Sequence, residues 1–368
     1  MAKFAVVGAG LLGRFTALLL DKNGHQVHLY EQGALTAKDA TGRLAAAMVA
    51  PAAESVIATE NIVSMGRQAL QIWPKLLKFL EMETELQQQG SIILAHRQDA
   101  NDLAHFQQRL NHLQQNECSV LDRARLQSLE PELENHFHQA LFLPTEGHID
   151  NHQLYSELER KLQQSQVSVY QHTPVTIADN TVVTEQQIIS FDWVIDCRGM
   201  GAKADVLNGD NALRGVRGEV ARVRAPEVNL TRPVRLMHPR YPIYIVPKTD
   251  HHYVIGATEI ESSDGKKPSV RSTLELLSAA YSVHKGFAEA ELVDVQAGLR
   301  PTLLNNEPEL YVKANQIQVN GLYRHGYLLT PSVLMLLLQT LQNHSVQLDT
   351  FADIELPLSG QWVKFHED

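Results

Sequence analysis

The chain opens with an apolar run and three spaced glycines, KFAVVGAGLLG, at residues 3–13. Residues 3–7 have the composition of a buried strand, and residues 11–22 repeat apolar side chains with the 3.6-residue period of a helix. Residues 26–31 alternate as a second strand does. This order of strand, helix and strand predicts a βαβ unit and an α/β fold built around it.

The glycines at the turn, Gly8, Gly10 and Gly13, have the spacing of a dinucleotide-binding fingerprint. In that fingerprint the first glycine allows the tight turn, the second lets the backbone approach a pyrophosphate, and the third lets the helix pack on the strand. Glu31 ends the next strand, where a carboxylate binds ribose hydroxyls and repels a 2′-phosphate. The pattern indicates FAD or NAD binding, and a glycine-rich structural turn is the alternative.

The composition favours a globular protein of about two domains. The chain has 368 residues, 44% hydrophobic and 20% charged, which is unlike a disordered protein. A net charge of −10 disfavours nucleic acid as a partner, and no uncharged run approaches the ~20 residues of a membrane-spanning helix. Two cysteines cannot build a disulfide framework or a four-cysteine metal site, so we expect a cytoplasmic protein with no metal and no membrane insertion.

Helical patterns also occur further along the chain. Residues 59–85 predict a helix that is interrupted at Trp73-Pro74, and residues 99–134 predict a polar, glutamine-rich helical segment. The last helix is predicted to begin near Thr330-Pro331, because proline is favoured in the first turn of a helix.

Three later motifs follow the βαβ unit in a fixed order. They are Ala45-Ala46-Ala47-Met48 with Ala50-Pro51 and Glu54, then Gly298-Leu299-Arg300-Pro301, and finally Gly321 with Arg324-His325-Gly326-Tyr327-Leu328-Leu329-Thr330-Pro331. Together with residues 8–31, these motifs resemble the FAD-dependent D-amino acid oxidase superfamily, most closely the glycine oxidase branch of thiamine biosynthesis. The resemblance covers essentially the whole chain.

The resemblance implies a Rossmann-like α/β domain that binds FAD, interleaved with an α+β substrate domain on an antiparallel sheet. We assign residues 1–84, 146–212 and 298–368 to the FAD-binding domain, and residues 85–145 and 213–297 to the substrate domain. The implied reaction is oxidative deamination of glycine or another small amino acid or secondary amine. Hydride passes from Cα to flavin N5, oxygen is the acceptor, and the products are imine and hydrogen peroxide.

The resemblance also implies substrate-binding residues. Arg300 matches the arginine whose planar guanidinium pairs with the substrate carboxylate. Tyr244 matches a tyrosine whose hydroxyl faces the same carboxylate, and Arg324 matches a residue on its far side. The alternatives are a surface or domain-interface ion pair for Arg300, a core position for Tyr244 and a structural role for Arg324. No side chain is nominated as a catalytic base, because the amine can bind in its neutral form.

The cofactor-binding residues are implied in the same way, and the helix near Thr330 is expected to direct free N–H groups at the flavin. They are Gly8, Ala9, Gly10, Leu11, Leu12, Gly13, Glu31, Gln32, Arg43, Ala45, Ala46, Ala47, Met48, Val175, Gly199, His325, Gly326, Tyr327, Leu328, Leu329 and Thr330. The chain departs from the family pattern at Ala47, where glycine is common, at Arg43, where a small hydroxyl residue is common, and at Leu322, where glycine oxidases commonly have histidine.

Two other functions remain open from the sequence. The enzyme can be a dehydrogenase that passes electrons to a quinone or another carrier instead of oxygen. It can also be a flavoprotein maturation or modification factor that acts on a macromolecule. For the oxidase we expect a small amino acid or amine as the partner, with homo-oligomer formation as a further possibility.

Overall fold

The computed structural model describes residues 1–36, 38, 40–113, 118–133, 137–203, 212–237, 241–352, 356 and 362–365. Its first three elements are the predicted βαβ unit. The strand β1 (Lys3–Val7) and the helix α1 (Leu11–Lys22) have the predicted bounds, and the strand β2 (Gln26–Tyr30) ends one residue before the predicted Glu31.

The remaining strands are numbered in chain order. They are β3 (Met48–Val49), β4 (Leu86–Gln87), β5 (Ser91–Leu94), β6 (Ser119–Asp122), β7 (Gln139–Leu143), β8 (Gly147–Ile149), β9 (Ser168–Tyr170), β10 (Thr176–Ala178), β11 (Thr181–Val183), β12 (Ile188–Ser190), β13 (Trp193–Asp196), β14 (Arg214–Arg224), β15 (Val234–Leu236), β16 (Ile243–Pro247), β17 (His252–Gly256), β18 (Ile260–Glu261), β19 (Glu291–Thr302), β20 (Glu309–Lys313), β21 (Gln316–Asn320) and β22 (Val363–Phe365).

The other helices follow the same numbering. They are α2 (Thr41–Leu44), α3 (Pro51–Glu54), α4 (Glu60–Phe79), α5 (Ala100–Leu113), α6 (Arg123–Leu129), α7 (Asn151–Gln164), α8 (Val270–Val283) and α9 (Gly326–Asn343). Short 3₁₀ turns occur at Arg97–Asp99, Gly199–Ala202 and Lys285–Glu289.

The first sheet has the strand order β22-β20-β21-β13-β1-β2-β9. Strand β1 pairs in parallel with β13 on one side and with β2 on the other. Alternate side chains of β1 face opposite sides of the sheet, as the period of a strand requires. Phe4 and Val6 pack against the helices, and Ala5 and Val7 pack against the small β10-β11-β12 sheet. The first sheet is therefore covered on both faces, which parallel strands require.

The second sheet has the order β18-β14-β17-β16-β15-β5-β7-β6, with β19 paired to β14. Its pairings are antiparallel except for β15 with β5. Helix α8 packs on this sheet, where Leu276 and Val283 are fully buried. The assignment of residues to two domains stays a prediction, and the strand β19 runs across its boundary at residue 298.

The predicted interruption of α4 at Trp73-Pro74 was wrong. Helix α4 runs through Pro74, because the burial of Trp73 and its neighbours against the core outweighs the ~3 kcal/mol that proline costs inside a helix. The helix ends at Phe79 rather than Glu85. Glu81 adopts a left-handed φ of 54°, and the N–H of Met82 donates to the Leu77 carbonyl at 2.8 Å, which is a Schellman cap.

The segment 99–134 is only partly helical. Helix α5 ends at Leu113, and the strand β6 and the helix α6 follow. Asp122 ends β6 and also caps α6, because its Oδ1 accepts a hydrogen bond from the N–H of Arg125 at 2.9 Å. No helix within the described residues has both the length and the apolar composition that crossing a membrane requires.

The last helix starts earlier than predicted. Helix α9 begins at Gly326, so that Pro331 lies inside the helix. Proline has no N–H to donate to the carbonyl four residues earlier, which is that of Tyr327. The indole Nε1 of Trp73 donates to this carbonyl instead, at 2.8 Å. The side chain of α4 thus supplies the hydrogen bond that Pro331 removes.

Replacement of Trp73 by phenylalanine should therefore destabilise the protein beyond the loss of ring volume. Trp73→Phe leaves the buried Tyr327 carbonyl without its donor, and we expect the free energy of unfolding to fall by about 2 kcal/mol. Urea unfolding measures the change. In the double variant Trp73→Phe/Pro331→Ala the restored backbone N–H should recover part of that loss, and no recovery would contradict the pairing.

Candidate active site

A cavity of about 670 Å³ lies between the glycine turn of the first sheet and the inner face of the second. Most of the predicted site residues line it. They are Gly8, Ala9, Gly10, Leu11, Leu12, Glu31, Gln32, Ala45, Ala46, Ala47, Met48, Gly199, Tyr244, Arg300, Arg324, His325, Gly326, Tyr327, Leu328 and Thr330. The structure thus brings segments from distant parts of the chain to one cavity wall.

Four predicted cofactor residues lie outside the cavity wall, each for its own reason. Gly13 packs against the Gly8 carbonyl, and Leu329 is fully buried in the core. Val175 packs with the cluster on the other face of the first sheet. The backbone carbonyl of Arg43 instead stabilises the fold. It accepts hydrogen bonds from Asn151 Nδ2 at 2.6 Å and from Arg222 Nη2 at 2.5 Å.

The three glycines of the turn have different surroundings. Gly8 has a φ of 98°, which favours glycine, and a Cβ there would lie 2.8 Å from the Cys197 carbonyl oxygen. A Cβ on Gly13 would lie 1.9 Å from the Gly8 carbonyl oxygen. A Cβ on Gly10 would meet no atom within 4 Å. Gly8 and Gly13 are therefore required by the fold itself, and Gly10 leaves open space at the cavity.

Glu31 ties the end of β2 to the glycine turn. Its Oε2 accepts a hydrogen bond from the N–H of Ala9 at 2.7 Å, and its Oε1 accepts one from the N–H of Gly33 at 2.9 Å. Both N–H groups belong to residues that line the cavity. The carboxylate is therefore held at the cavity wall in one orientation.

The segment 45–48 is held by a half-buried lysine that the sequence did not single out. Lys248 Nζ donates to the Ala46 carbonyl at 2.8 Å and to the Ile149 carbonyl at 2.6 Å. Burial lowers the pKa of Lys248 to about 7. Ala47 has a left-handed φ of 55°, which explains why the family commonly has glycine there. The only sequence signal for Lys248 was its place after the Tyr-Ile-Val-Pro strand.

The first turn of α9 faces the cavity. The first N–H groups of a helix have no acceptor inside it, and Gly326, Tyr327 and Leu328 all line the cavity. The Tyr327 hydroxyl donates to the Gly42 carbonyl at 2.9 Å and so fixes the start of the helix. Burial lowers the pKa of His325, which precedes the helix, to about 4 and keeps its ring neutral. This helix end offers N–H donors to an electron-rich group.

Arg300 lies on β19, and its guanidinium rests on Gly218 of the neighbouring β14. A Cβ on Gly218 would lie 2.4 Å from an Arg300 Nη2, so the side chain occupies the space that this glycine leaves. Its two Nη atoms donate to the Thr258 carbonyl at 3.2 Å. Among the described residues no carboxylate lies within ion-pair distance of Arg300. A cation without a protein anion at a cavity wall can bind an anionic ligand.

Tyr244 lies on β16 and rests on Gly256 in the same manner. A Cβ on Gly256 would lie 3.1 Å from the Tyr244 hydroxyl oxygen. Within the described part of the chain the hydroxyl has no hydrogen-bond partner. Burial raises the pKa of Tyr244, although the charge of Arg300 opposes this, so the hydroxyl keeps its proton at neutral pH. It is available as a donor inside the cavity.

Arg324 differs from Arg300 because its charge is already compensated. It contacts Glu54 through its Nε at 3.2 Å and Glu259 through its Nη1 at 2.6 Å. The Tyr323 hydroxyl also donates to Glu259, at 2.6 Å. This arrangement favours the structural alternative for Arg324. It joins the loop before α9 to the second sheet at the cavity wall.

Two buried groups near this ion pair were not predicted as a site. Arg235, on β15, donates to Glu54 at 3.2 Å and lines the cavity. Burial alone would raise the pKa of Glu54, but Arg324 and Arg235 lower it to about 2. Glu54 belongs to one of the sequence motifs, but the motif gave it no role. Arg235 lies in the strand Val234-Arg235-Leu236, which belongs to none of the motifs, so the sequence did not indicate it.

Glu146 is the neighbouring buried carboxyl, and it should make stability depend on pH. It accepts hydrogen bonds from the N–H of Ala53 at 2.6 Å and from the Ser91 hydroxyl. Burial raises its pKa to about 7 from the usual 4.5. Because the folded-state pKa is the higher one, its contribution to stability is complete below about pH 4.5 and is lost as pH rises through 7.

We therefore expect Glu146→Gln to reduce the loss of unfolding free energy between pH 4.5 and pH 8. The amide keeps the acceptor for Ala53 and cannot ionise. Urea unfolding of both proteins across this range measures the unfolding free energy, and the loss between pH 4.5 and pH 8 should be smaller in the variant by about 3 kcal/mol. Parallel curves for the two proteins would show that Glu146 does not titrate with a raised pKa.

The residues at the cavity fit FAD. Open space in front of Gly10, the fixed Glu31 carboxylate and the free N–H groups of α9 match the diphosphate, ribose and flavin parts that the sequence resemblance assigned to them. Within the described ranges, no cluster of three or more histidine, cysteine, aspartate or glutamate side chains could hold a metal ion.

Comparisons with known proteins agree with this fit. Residues 3–337 match the family model of FAD dependent oxidoreductases, the DAO family. A Rhizobium etli protein assigned to thiamine biosynthesis as the oxidoreductase ThiO is 36% identical over 331 residues, which is 90% of this chain and 94% of that protein. The glycine oxidase of Geobacillus kaustophilus is 25% identical over 353 residues, 89% of each chain.

Solved structures share the fold. The crystal structure of glycine oxidase from Geobacillus kaustophilus matches with a TM-score of 0.80 and 24% identity, over 97% of this chain and 98% of that chain. Iminodiacetate oxidase from Chelativorans sp. BNC1 matches with a TM-score of 0.80 and 19% identity, over 99% of both chains. The fold is therefore that of glycine oxidase, with its mixed sheets. The chain belongs to the D-amino acid oxidase family of FAD-dependent oxidoreductases and is an enzyme of the glycine oxidase and ThiO type.

Proposed function

We propose that this enzyme oxidises the carbon–nitrogen bond of glycine or another small amino acid or secondary amine to an imine, with oxygen as the acceptor. Arg300 carries the proposal, because its guanidinium lies at the cavity wall without a carboxylate partner among the described residues. A planar guanidinium binds both oxygens of a carboxylate and so fixes the orientation of the whole substrate.

The two sheets have different roles in this proposal. The first sheet, with the glycine turn, Glu31 and the start of α9, forms the Rossmann-like side that binds FAD. The antiparallel second sheet carries Arg300 and Tyr244 and forms the substrate side. Bound FAD supplies a two-electron acceptor for the hydride that leaves the substrate Cα. The assignment to two interleaved domains remains our proposal, and in it the part of β19 that carries Arg300 belongs to the substrate side, although its number lies within residues 298–368.

The side chains bind and orient the substrate rather than exchange protons with it. Arg300 holds the carboxylate, and the protonated hydroxyl of Tyr244 donates a hydrogen bond to it. Arg324 and Glu54 compensate each other and keep the cavity wall fixed. Orientation of this kind supplies up to ~7–11 kcal/mol of a barrier. The amine binds without its extra proton, so that the hydride can leave directly.

The absorption spectrum of the holoenzyme tests the proposal. Without oxygen, we expect the visible flavin absorption to bleach on addition of glycine, sarcosine or D-alanine. On admission of air the absorption should return, with one hydrogen peroxide formed for each amine oxidised. An unchanged spectrum with all three amines would reject glycine and these small monocarboxylic amines as substrates. Bleaching without return in air would instead indicate a quinone or another carrier as the acceptor.

The biological setting is proposed from the relatives. The name of the Rhizobium etli relative connects it with thiamine biosynthesis, and we propose the same setting for this enzyme. A bacterial strain that lacks its own amine-oxidising enzyme for thiamine synthesis should grow without added thiamine when it carries this gene. Location in the cytoplasm and formation of a homo-oligomer stay predictions.

A further inference from the structure

Arg235 is a buried cation at the cavity wall that the proposed reaction does not use. It lies in the middle of β15 and is 4% exposed. Its Nη2 donates to Glu54 Oε1 at 3.2 Å, and its Nε and Nη1 have no hydrogen-bond partner among the described residues. A buried guanidinium with free donors at a cavity is costly unless an acceptor arrives from the cavity.

The strand order places Arg235 and Arg300 on strands to either side of the strand that carries Tyr244. Arg235 pairs with Tyr244 across β15 and β16. Tyr244 pairs with Gly256 on β17, and Gly256 pairs with Val220 on β14. Strand β19, which carries Arg300, lies on the far side of β14. The order of strands is therefore β15, β16, β17, β14 and β19, so the strand of Tyr244 lies between the strands of the two arginines. Arg300 pairs with Val216, four residues along β14 from Val220, and its guanidinium reaches back over Gly218, while the Tyr244 hydroxyl lies at Gly256.

Of the two arginines that contact Glu54, Arg235 is bound less closely than Arg324. Arg324 contacts both oxygens of Glu54, at 3.2 and 3.3 Å, and also Glu259 at 2.6 Å. Arg235 makes a single contact of 3.2 Å to the same Glu54. Glu54 and Glu259 thus face Arg324 and Arg235. The charge of Arg235 also acts on Glu146, but burial raises the pKa of that carboxyl to about 7, so it compensates Arg235 only in part. Arg300 adds a third positive charge. The cavity wall carries an excess of positive charge around Tyr244.

We propose that the substrate amine carries a second carboxylate, which Arg235 binds while Arg300 holds the carboxylate next to the reacting carbon. This inference rests on the proposed function and specifies its substrate class as an amino-dicarboxylic acid. The second carboxylate is attached either to the side chain or to the nitrogen. Both forms place one anion at each guanidinium and leave the C–N bond between them.

Matched pairs of substrates test the proposal on the holoenzyme. Iminodiacetate and sarcosine differ by a carboxylate on the nitrogen substituent, and D-aspartate and D-alanine by one on the side chain. In at least one pair we expect kcat/KM for the dicarboxylate to exceed that of the monocarboxylate by about tenfold or more, the value of a hydrogen bond between charged groups. Preference for the monocarboxylate in both pairs would overturn the proposal.

The variant Arg235→Met removes the charge and keeps the volume of the stem. We expect it to reduce the dicarboxylate preference by about tenfold or more, and Arg235→Lys, which keeps a cation beside Glu54, to reduce it less. Arg224→Met is the control. Arg224 lies at the end of β14 with ion pairs to Asp250 and Glu291, outside the cavity wall, and its loss should leave the preference unchanged.

A binding measurement separates this inference from the proposed function. Malonate and acetate differ by one carboxylate and are not oxidised, and both can be titrated into the oxidised holoenzyme while the flavin absorption is followed. We expect malonate to bind at least about tenfold more tightly than acetate to the wild type, and this difference to disappear in Arg235→Met. Equal affinity in the wild type would overturn the role of Arg235. If no amine is oxidised, the proposed function is wrong. The titration still shows whether Arg235 binds a second carboxylate, because it does not depend on turnover.

Discussion

Arg300→Ala is expected to raise the KM for a carboxylated amine by about 100-fold or more. On the proposed function, the substitution removes two charge-assisted hydrogen bonds to the substrate carboxylate, which together are worth about 3 kcal/mol or more. Arg300 makes hydrogen bonds only to carbonyl groups of the protein, at Thr258 and Arg217, so its loss breaks no ion pair among the described residues. Steady-state kinetics with glycine and sarcosine, together with the FAD content of the purified variant, measure the effect.

Two further variants make this test specific. Arg300→Lys keeps the positive charge but loses the planar pair of donors, and we expect an intermediate KM. Arg224→Ala removes an arginine of the same sheet whose charge is paired with Asp250 and Glu291, and its KM should match the wild type. A KM for Arg300→Ala that stays within about threefold of the wild type would remove Arg300 from the substrate site.

The side of the cavity formed by the glycine turn was largely predictable from the sequence because its requirements are local. Gly8, Gly13 and Glu31 act through the backbone geometry of one turn, and such a turn leaves a fixed spacing in the chain. Arg43 and Val175 were assigned by resemblance alone, and the structure places both outside the cavity wall. A position within a motif does not specify the direction of its side chain.

The ionic part of the cavity could not be read from the sequence in the same way. Glu54, Arg235 and Arg324 belong to α3, to β15 and to the loop before α9, and only the packing of the two sheets brings them together. Arg235 stands between the apolar residues Val234 and Leu236, and a strand residue that faces solvent has the same sequence pattern. Its burial and its contact with Glu54 arise only from the tertiary structure.

The bounds of α9 show how a long-range contact overrides a local rule. Proline in the first turn of a helix is the usual arrangement, which led to the prediction of a start near Thr330. The structure places Pro331 inside the helix, because the Trp73 indole satisfies the carbonyl that proline leaves free. No pattern around Pro331 contains the donor, since Trp73 lies in another helix.

Gly13 and Gly10 of the first turn should respond differently to replacement by alanine, Gly13 by losing stability and Gly10 by losing affinity for FAD. At Gly13, which lies in α1, alanine improves helix propensity by about 1 kcal/mol, but its Cβ would lie 1.9 Å from the Gly8 carbonyl oxygen. A clash between backbone and Cβ cannot be relieved by a rotamer change and costs about 3 kcal/mol or more. We therefore expect Gly13→Ala to reduce the free energy of unfolding by about 2 kcal/mol or more, even without FAD.

Gly10→Ala is the matched substitution in the same turn. Gly10 has a φ of −69° and open space around its Cβ position, so alanine should change the stability of the FAD-free protein by less than about 0.5 kcal/mol. The added methyl group occupies the space through which the backbone approaches the pyrophosphate, and we expect the Kd for FAD to rise by about tenfold or more. Urea unfolding and FAD titration of the two variants measure both quantities. Equal losses of stability in both would contradict the separation of a packing glycine from a ligand-facing one, and unchanged FAD affinity in Gly10→Ala would place the pyrophosphate elsewhere.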